Sequence, residues 1–285
     1  MLVSESVGQL FLQHEGGRDR IEYTEHGSGD RWVVLVHGLL MPRRMHLPLA
    51  RALASAGLHV VTVDLLGHGA SDKPADPRVY SMTAFGEQVV ALLDHLGAEQ
   101  AVIGGTSLGA NVALEVAVTA PQRVRGLLIE MPVLDNAVEA GIVAFVPIMF
   151  LARFVPISVT ALRWLTKPVP RRLMPFWIGI VLDTLDQHPG PVAAVLHGVI
   201  FGRIAPSSAQ RKKITAPTLI VGHSIDPVHP FVDSEMLSSE LPHATIQAAS
   251  SILEWRMRPE RLTKAAVDFA VSVWNDPGTS RRIAT

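Results

Sequence analysis

The 285-residue chain has no cysteine. Disulfides, thiolate metal sites and a cysteine nucleophile are thereby excluded, and the composition suits a reducing compartment. Charge of one sign is not in excess: 25 basic residues stand against 26 acidic ones, a formal net charge of −1. That balance supplies no general attraction for nucleic acid or an anionic membrane. The short basic clusters Arg211–Lys213 and Arg281–Arg282 read as solvated surface. Long apolar runs are also lacking. Ala140–Leu151 is about half of the ~20 residues a transmembrane helix needs, with Pro147 inside it and Arg153 just beyond, and reads as a buried or interfacial helix. Met1–Leu12 lacks the basic and apolar regions of a secretory signal, which points to a cytoplasmic protein. Walker-type and dinucleotide-type glycine loops are absent, and the 12 histidines show no metal-ligand spacing, so neither cofactor nor metal is expected.

What is present is enough apolar material for a large core, 48% hydrophobic against 18% charged residues. Two extended runs between Leu10 and Tyr23 flank Glu15-Gly16-Gly17-Arg18 and predict a β-hairpin. Trp32–Val36, His59–Asp64, Gln100–Gly104, Val124–Ile129 and Thr218–Gly222 are short runs apolar on both faces, the pattern of strands buried inside a parallel sheet. Between them, Pro48–Ala56, Met82–Leu96 and Ala110–Ala120 have helical spacing, and Gly97 stands where a C-terminal cap residue belongs. Pro259–Trp274 closes the pattern as an amphipathic helix. Alternating units of this kind predict an α/β protein with a doubly wound, mostly parallel sheet.

Val133–Lys213 differs in character. It holds eight prolines, helix-like apolar segments broken by them, and no strand pattern. The division expected is a core of residues 1–132 and 214–275, a helical lid over 133–213, and a flexible tail over 276–285. The lid's apolar excess, with Phe145, Phe154, Trp164 and Trp177, requires a covering: the core, an apolar ligand, or a second copy in a homodimer through the lid.

Gly105-Thr106-Ser107-Leu108-Gly109 falls between a predicted strand and a predicted helix, the setting that gives a Gly-x-Ser-x-Gly pattern chemical meaning. Glycines two residues either side let strand and helix backbones close on a strained turn, which lifts the serine hydroxyl above the sheet. Val36-His37-Gly38-Leu39, Asp64-x-x-Gly67-His68-Gly69-x-Ser71 and Val221–Pro230 follow other strands in an order that, with this turn, resembles the α/β-hydrolase family from about Leu10 to Trp274. The resemblance implies Ser107 as nucleophile, the backbone N–H groups of Leu39 and Leu108 as oxyanion hole, and Asp226 as the acid that orients a histidine. His68 is read as a structural residue, and Asp135, early in the lid, as less suited than Asp226 to the acid's place.

One departure is conspicuous. Relatives carry the catalytic histidine some seven residues ahead of a Pro-Glu pair; here the pair is Pro259-Glu260, and that count ends on Ile252. No histidine follows His243. A serine hydroxyl without an adjacent base is a poor nucleophile. The candidates for a substitute base are His37, His223, His229 and the carboxylate of Glu254. Two classes of function follow: a serine hydrolase of ester-like bonds in a small apolar substrate, with a non-standard triad, or a non-hydrolytic relative, either a ligand binder or a lyase or cyclase that needs no Ser-His pair.

Overall fold

The computed structural model describes residues 4–15 and 17–276. Gly16, Arg281–Arg282 and the expected tail beyond Asp276 lie outside the described residues. The hairpin is present as β1 (Glu5–His14) and β2 (Gly17–His26). Then come β3 (Trp32–Val36), α1 (Leu47–Ser55), β4 (His59–Asp64), α2 (Met82–Leu96), β5 (Ala101–Thr106), α3 (Leu108–Thr119) and β6 (Val124–Glu130). Five helices follow: α4 (Val138–Phe154), α5 (Pro156–Thr166), α6 (Phe176–Leu185), α7 (Pro189–Ile200) and α8 (Ser208–Arg211). The chain returns to the sheet with β7 (Thr218–His223), α9 (Phe231–Glu240), β8 (Ala244–Ala249), α10 (Glu254–Met257) and α11 (Glu260–Asn275). The sheet order is β1-β2-β4-β3-β5-β6-β7-β8, with β2 antiparallel to both neighbours and every pair from β4 to β8 parallel.

The apolar runs are explained by what lies on each face. Val34, Val36, Val61 and Val63 join the core packed under α2 and α3, with Phe85, Leu92 and Leu114. Their alternate neighbours Val33, Leu35 and Val60 join the opposite core with Leu53 of α1 and Leu262 and Ala266 of α11. Side chains alternate between sheet faces, so a strand covered on both sides must be apolar at every position.

Three details correct the sequence reading. Pro147 does not break its helix but lies inside α4, whereas Pro156 and Pro189 open α5 and α7, where the missing N–H is harmless. Arg211 is not solvated surface: it is 2% exposed, paired with Glu240 and bonded to the Pro206 carbonyl. Two elements, α9 and β8, gave no periodic signal; β8 is an edge strand with an irregular burial pattern.

Both ends of the helical insertion are tied to the sheet beside the elbow. Asn111, one turn into α3, donates to the carbonyls of Val133 (2.7 Å) and Ile204 (2.8 Å) and accepts from Val133 N–H. Buried Asp233 of α9 accepts the N–H groups of Leu134, Asn136 and Ala137, which holds the segment entering α4.

Candidate active site

Ser107 joins β5 to α3 with φ 55° and ψ −108°, a conformation strained for any residue with a Cβ. Its N–H donates to the Glu130 carbonyl at the end of β6 (2.9 Å). The flanking glycines are required by contact: a Cβ on Gly109 would lie 2.1 Å from the Val36 carbonyl oxygen, and one on Gly105 2.5 Å from the Gly109 carbonyl carbon. Backbone thus touches backbone on both sides, and the hydroxyl is left to face the cavity.

His229 brings Nε2 to 2.9 Å from Ser107 Oγ. Its Nδ1 lies 2.9 Å from Asp226 Oδ2. With the Nδ1 hydrogen donated to the carboxylate, Nε2 is free to accept the serine proton. Asp226 and His229 belong to one tight turn after β7: Asp226 Oδ1 accepts the backbone N–H groups of Val228 (2.8 Å) and His229 (2.9 Å), folding the chain so that the ring swings back over its own acid. Burial raises the Asp226 carboxyl, but the His229 ring and these N–H donors outweigh burial and hold the acid below its ordinary range. The signal for this pairing is Asp226-Pro227-Val228-His229, in which a histidine three residues beyond an Asx-type turn can meet the turn's own carboxylate.

The remaining base candidates are engaged elsewhere. His37 donates Nδ1–H to the Gly38 carbonyl and accepts Leu65 N–H at Nε2, with burial lowering its basicity. His223 has both ring nitrogens on oxygens, the Ser251 carbonyl (2.7 Å) and Glu130 (3.1 Å). Glu254 accepts from Ser250 and Arg261. Ile252 sits in the loop before α10, whose neighbour Ser251 serves His223 rather than Ser107. Asp135 is exposed at the entrance to the insertion.

Leu39, Leu108, Ser107 and His229 line one cavity of about 90 Å³, closed by Val138, Ile142 and Phe145 of α4 and by Val199 and Ile200 of α7. Leu108 is the first residue of α3, so its N–H has no acceptor within the helix. Leu40, which follows Leu39, has φ 61°, and its carbonyl accepts the Gln187 side-chain amide (2.5 Å) from the insertion. Behind the elbow, buried Glu130 accepts from Thr106, His223 and Arg256. Burial opposes its charge, yet Arg256 and His223 hold it well below the usual carboxylate range. Sequence reading missed Glu130, because as the last residue of a buried strand it carries no motif. The groupings of three or more side chains suited to a metal ion number none among the described residues.

Sheet order, elbow and insertion together define the class: the chain has the α/β-hydrolase fold, and a family model of that fold matches residues 31–153. Among curated proteins it is similar to 3-oxoadipate enol-lactonase 2 of Acinetobacter baylyi, 25% identical over 189 residues that span 66% of this chain and 69% of that one. It is 35% identical to bifunctional epoxide hydrolase 2 of Sus scrofa over 111 residues, which cover 38% of this chain and only 19% of the relative. Among solved structures, a thermophilic esterase from Thermogutta terrifontis superposes with a TM-score of 0.75 at 22% identity, over 94% of this chain and 99% of that one, a likeness of fold.

Proposed function

We propose that the protein is a serine hydrolase of ester or lactone bonds in small apolar substrates, with Ser107 as nucleophile, His229 as general base and Asp226 as its orienting acid. The observation that carries this reading is the 2.9 Å contact between His229 Nε2 and Ser107 Oγ. As Ser107 Oγ attacks the carbonyl carbon, its proton passes to His229 Nε2, and Asp226 stabilises the imidazolium. The oxyanion is received by the N–H groups of Leu39 and Leu108, each worth about 3 kcal/mol in the transition state. Collapse expels the alcohol oxygen, which takes the proton back from His229; water, deprotonated by the same ring, then cleaves the acyl-enzyme. The helices of residues 133–213 act as the lid. Their apolar lining at Val138, Ile142 and Phe145 favours a hydrophobic acyl group. Names carried by relatives, an enol-lactonase and an esterase, agree with this bond class.

The test is labelling with a fluorophosphonate probe read by intact mass. One adduct per chain is expected, absent in Ser107→Ala and slowed at least 1,000-fold, on the order of the loss of a triad member, in His229→Ala. Unlabelled wild-type protein with a native melting transition would sink the acyl-enzyme mechanism and leave ligand binding or lyase chemistry.

A further inference from the structure

From Ala140 to Leu182 the chain has no aspartate or glutamate and five basic residues, Arg153, Arg163, Lys167, Arg171 and Arg172. The overall balance of charge therefore conceals a local excess. Arg163 and Arg171 are answered by Asp183 and Asp186 just beyond this stretch. Arg153, Lys167 and Arg172 are exposed and meet no carboxylate among the described residues.

The same stretch carries an unusual amount of uncovered apolar surface. α4 is apolar nearly all round, which normally marks a helix buried on every side. Yet Val143 is 75% and Phe154 68% exposed, and neither lines the cavity around Ser107. α5 buries no residue at all, with Ile157 71%, Trp164 77% and Leu165 75% exposed. The two helices meet at a bend of 101°, and no helix among the described residues is long and apolar enough to cross a bilayer. Apolar side chains bordered by free cations are the composition of a surface that lies in a membrane interface.

We propose that the α4–α5 face and the following basic loop dock on an anionic phospholipid bilayer. Phe154, Trp164 and Leu165 enter the headgroup region while Arg153, Lys167 and Arg172 pair with lipid phosphates. A second copy of the chain fits less well: in a twofold dimer the patch would meet itself, setting these cations against like charge with no acid in the stretch to answer them. Ile142 joins the face to the cavity, being 47% exposed and also part of the wall around Ser107. With Ser107 as the nucleophile proposed above, the substrates that follow are apolar esters dissolved in the bilayer; the docking itself does not depend on that reading.

The experiment is co-sedimentation of the purified full chain with vesicles of phosphatidylcholine alone or mixed equally with phosphatidylglycerol, in wild type and in Ser107→Ala, with light scattering of the free protein. Expected is binding to the anionic vesicles that is indifferent to Ser107. Each cation near such a surface contributes about fivefold, so the triple variant R153Q/K167Q/R172Q should bind about 100-fold more weakly. The double variant W164E/L165E should lose binding while keeping the wild-type melting temperature, because both side chains are exposed. Equal recovery of wild type on neutral and anionic vesicles overturns the proposal, as does a stable dimer that W164E/L165E dissociates in protein that ignores vesicles. Failure of probe labelling with intact vesicle binding would overturn only the hydrolase reading.

Discussion

Asp226 has each carboxylate oxygen committed: Oδ1 to two backbone N–H groups and Oδ2 to the His229 ring. An asparagine there would keep its carbonyl on the backbone donors and turn its NH₂ toward Nδ1. The ring would then be driven to the tautomer with hydrogen on Nε2, the one that cannot accept the serine proton. Asp226→Asn should therefore lower kcat/KM for an ester by about 10⁴-fold with the turn intact, a loss of the size known for acid-to-amide changes in such triads. Ile252→His in a His229→Ala background should restore nothing, because the loop at 252 serves His223 through the Ser251 carbonyl; recovery of ester turnover in that variant would count against His229 as the base.

At the scale of elements, the cavity is made by a docking of two parts. The strands and α3 present Ser107, and α4 and α7 close over it. That docking rests on Asn111 and Asp233, polar residues inside the fold that no apolar pattern reveals. Asp233 accepts Leu134 and Ala137 N–H on one oxygen and Asn136 on the other. Asp233→Asn would set an amide NH₂ against buried N–H donors. Hydrogen bonds to a charged acceptor are worth about 1.5–3 kcal/mol each, so a loss of about 3 kcal/mol is expected. Urea unfolding of the variant should show a lower midpoint with an unchanged slope.

For the whole molecule, buried histidines set the response to acid. Burial lowers His46 to about 4 while its Nε2–H is held by the Val36 carbonyl, and burial likewise lowers His26, His37 and His68. A base whose folded pKa is depressed takes up its proton in the unfolded chain first, near 6.5. Its contribution is complete above pH 6.5 and is lost as pH falls toward 4, to the extent of about 3 kcal/mol from His46 alone at 1.36 kcal/mol per unit. Chemical denaturation at pH 7 and at 4.5 should show this decline. His46→Gln, which keeps a donor for Val36, should flatten it; an unchanged pH slope would remove His46 from the account.

The sequence alone determined the alternation of buried strands and helices, because strands covered on both faces must be apolar at consecutive positions, and it marked the elbow, because only glycine permits the backbone contacts around Ser107. It also set Asp226 at a strand end. It did not single out His229 from three other candidates, nor expose Glu130, Asn111 or Asp233, since each acts through a partner tens to a hundred residues away or through a turn that folds back on itself. Only the tertiary structure decided which imidazole reaches the serine: a hydrogen bond is a matter of a few tenths of an ångström between atoms 122 residues apart in the chain, and spacing along the chain carries no record of that distance.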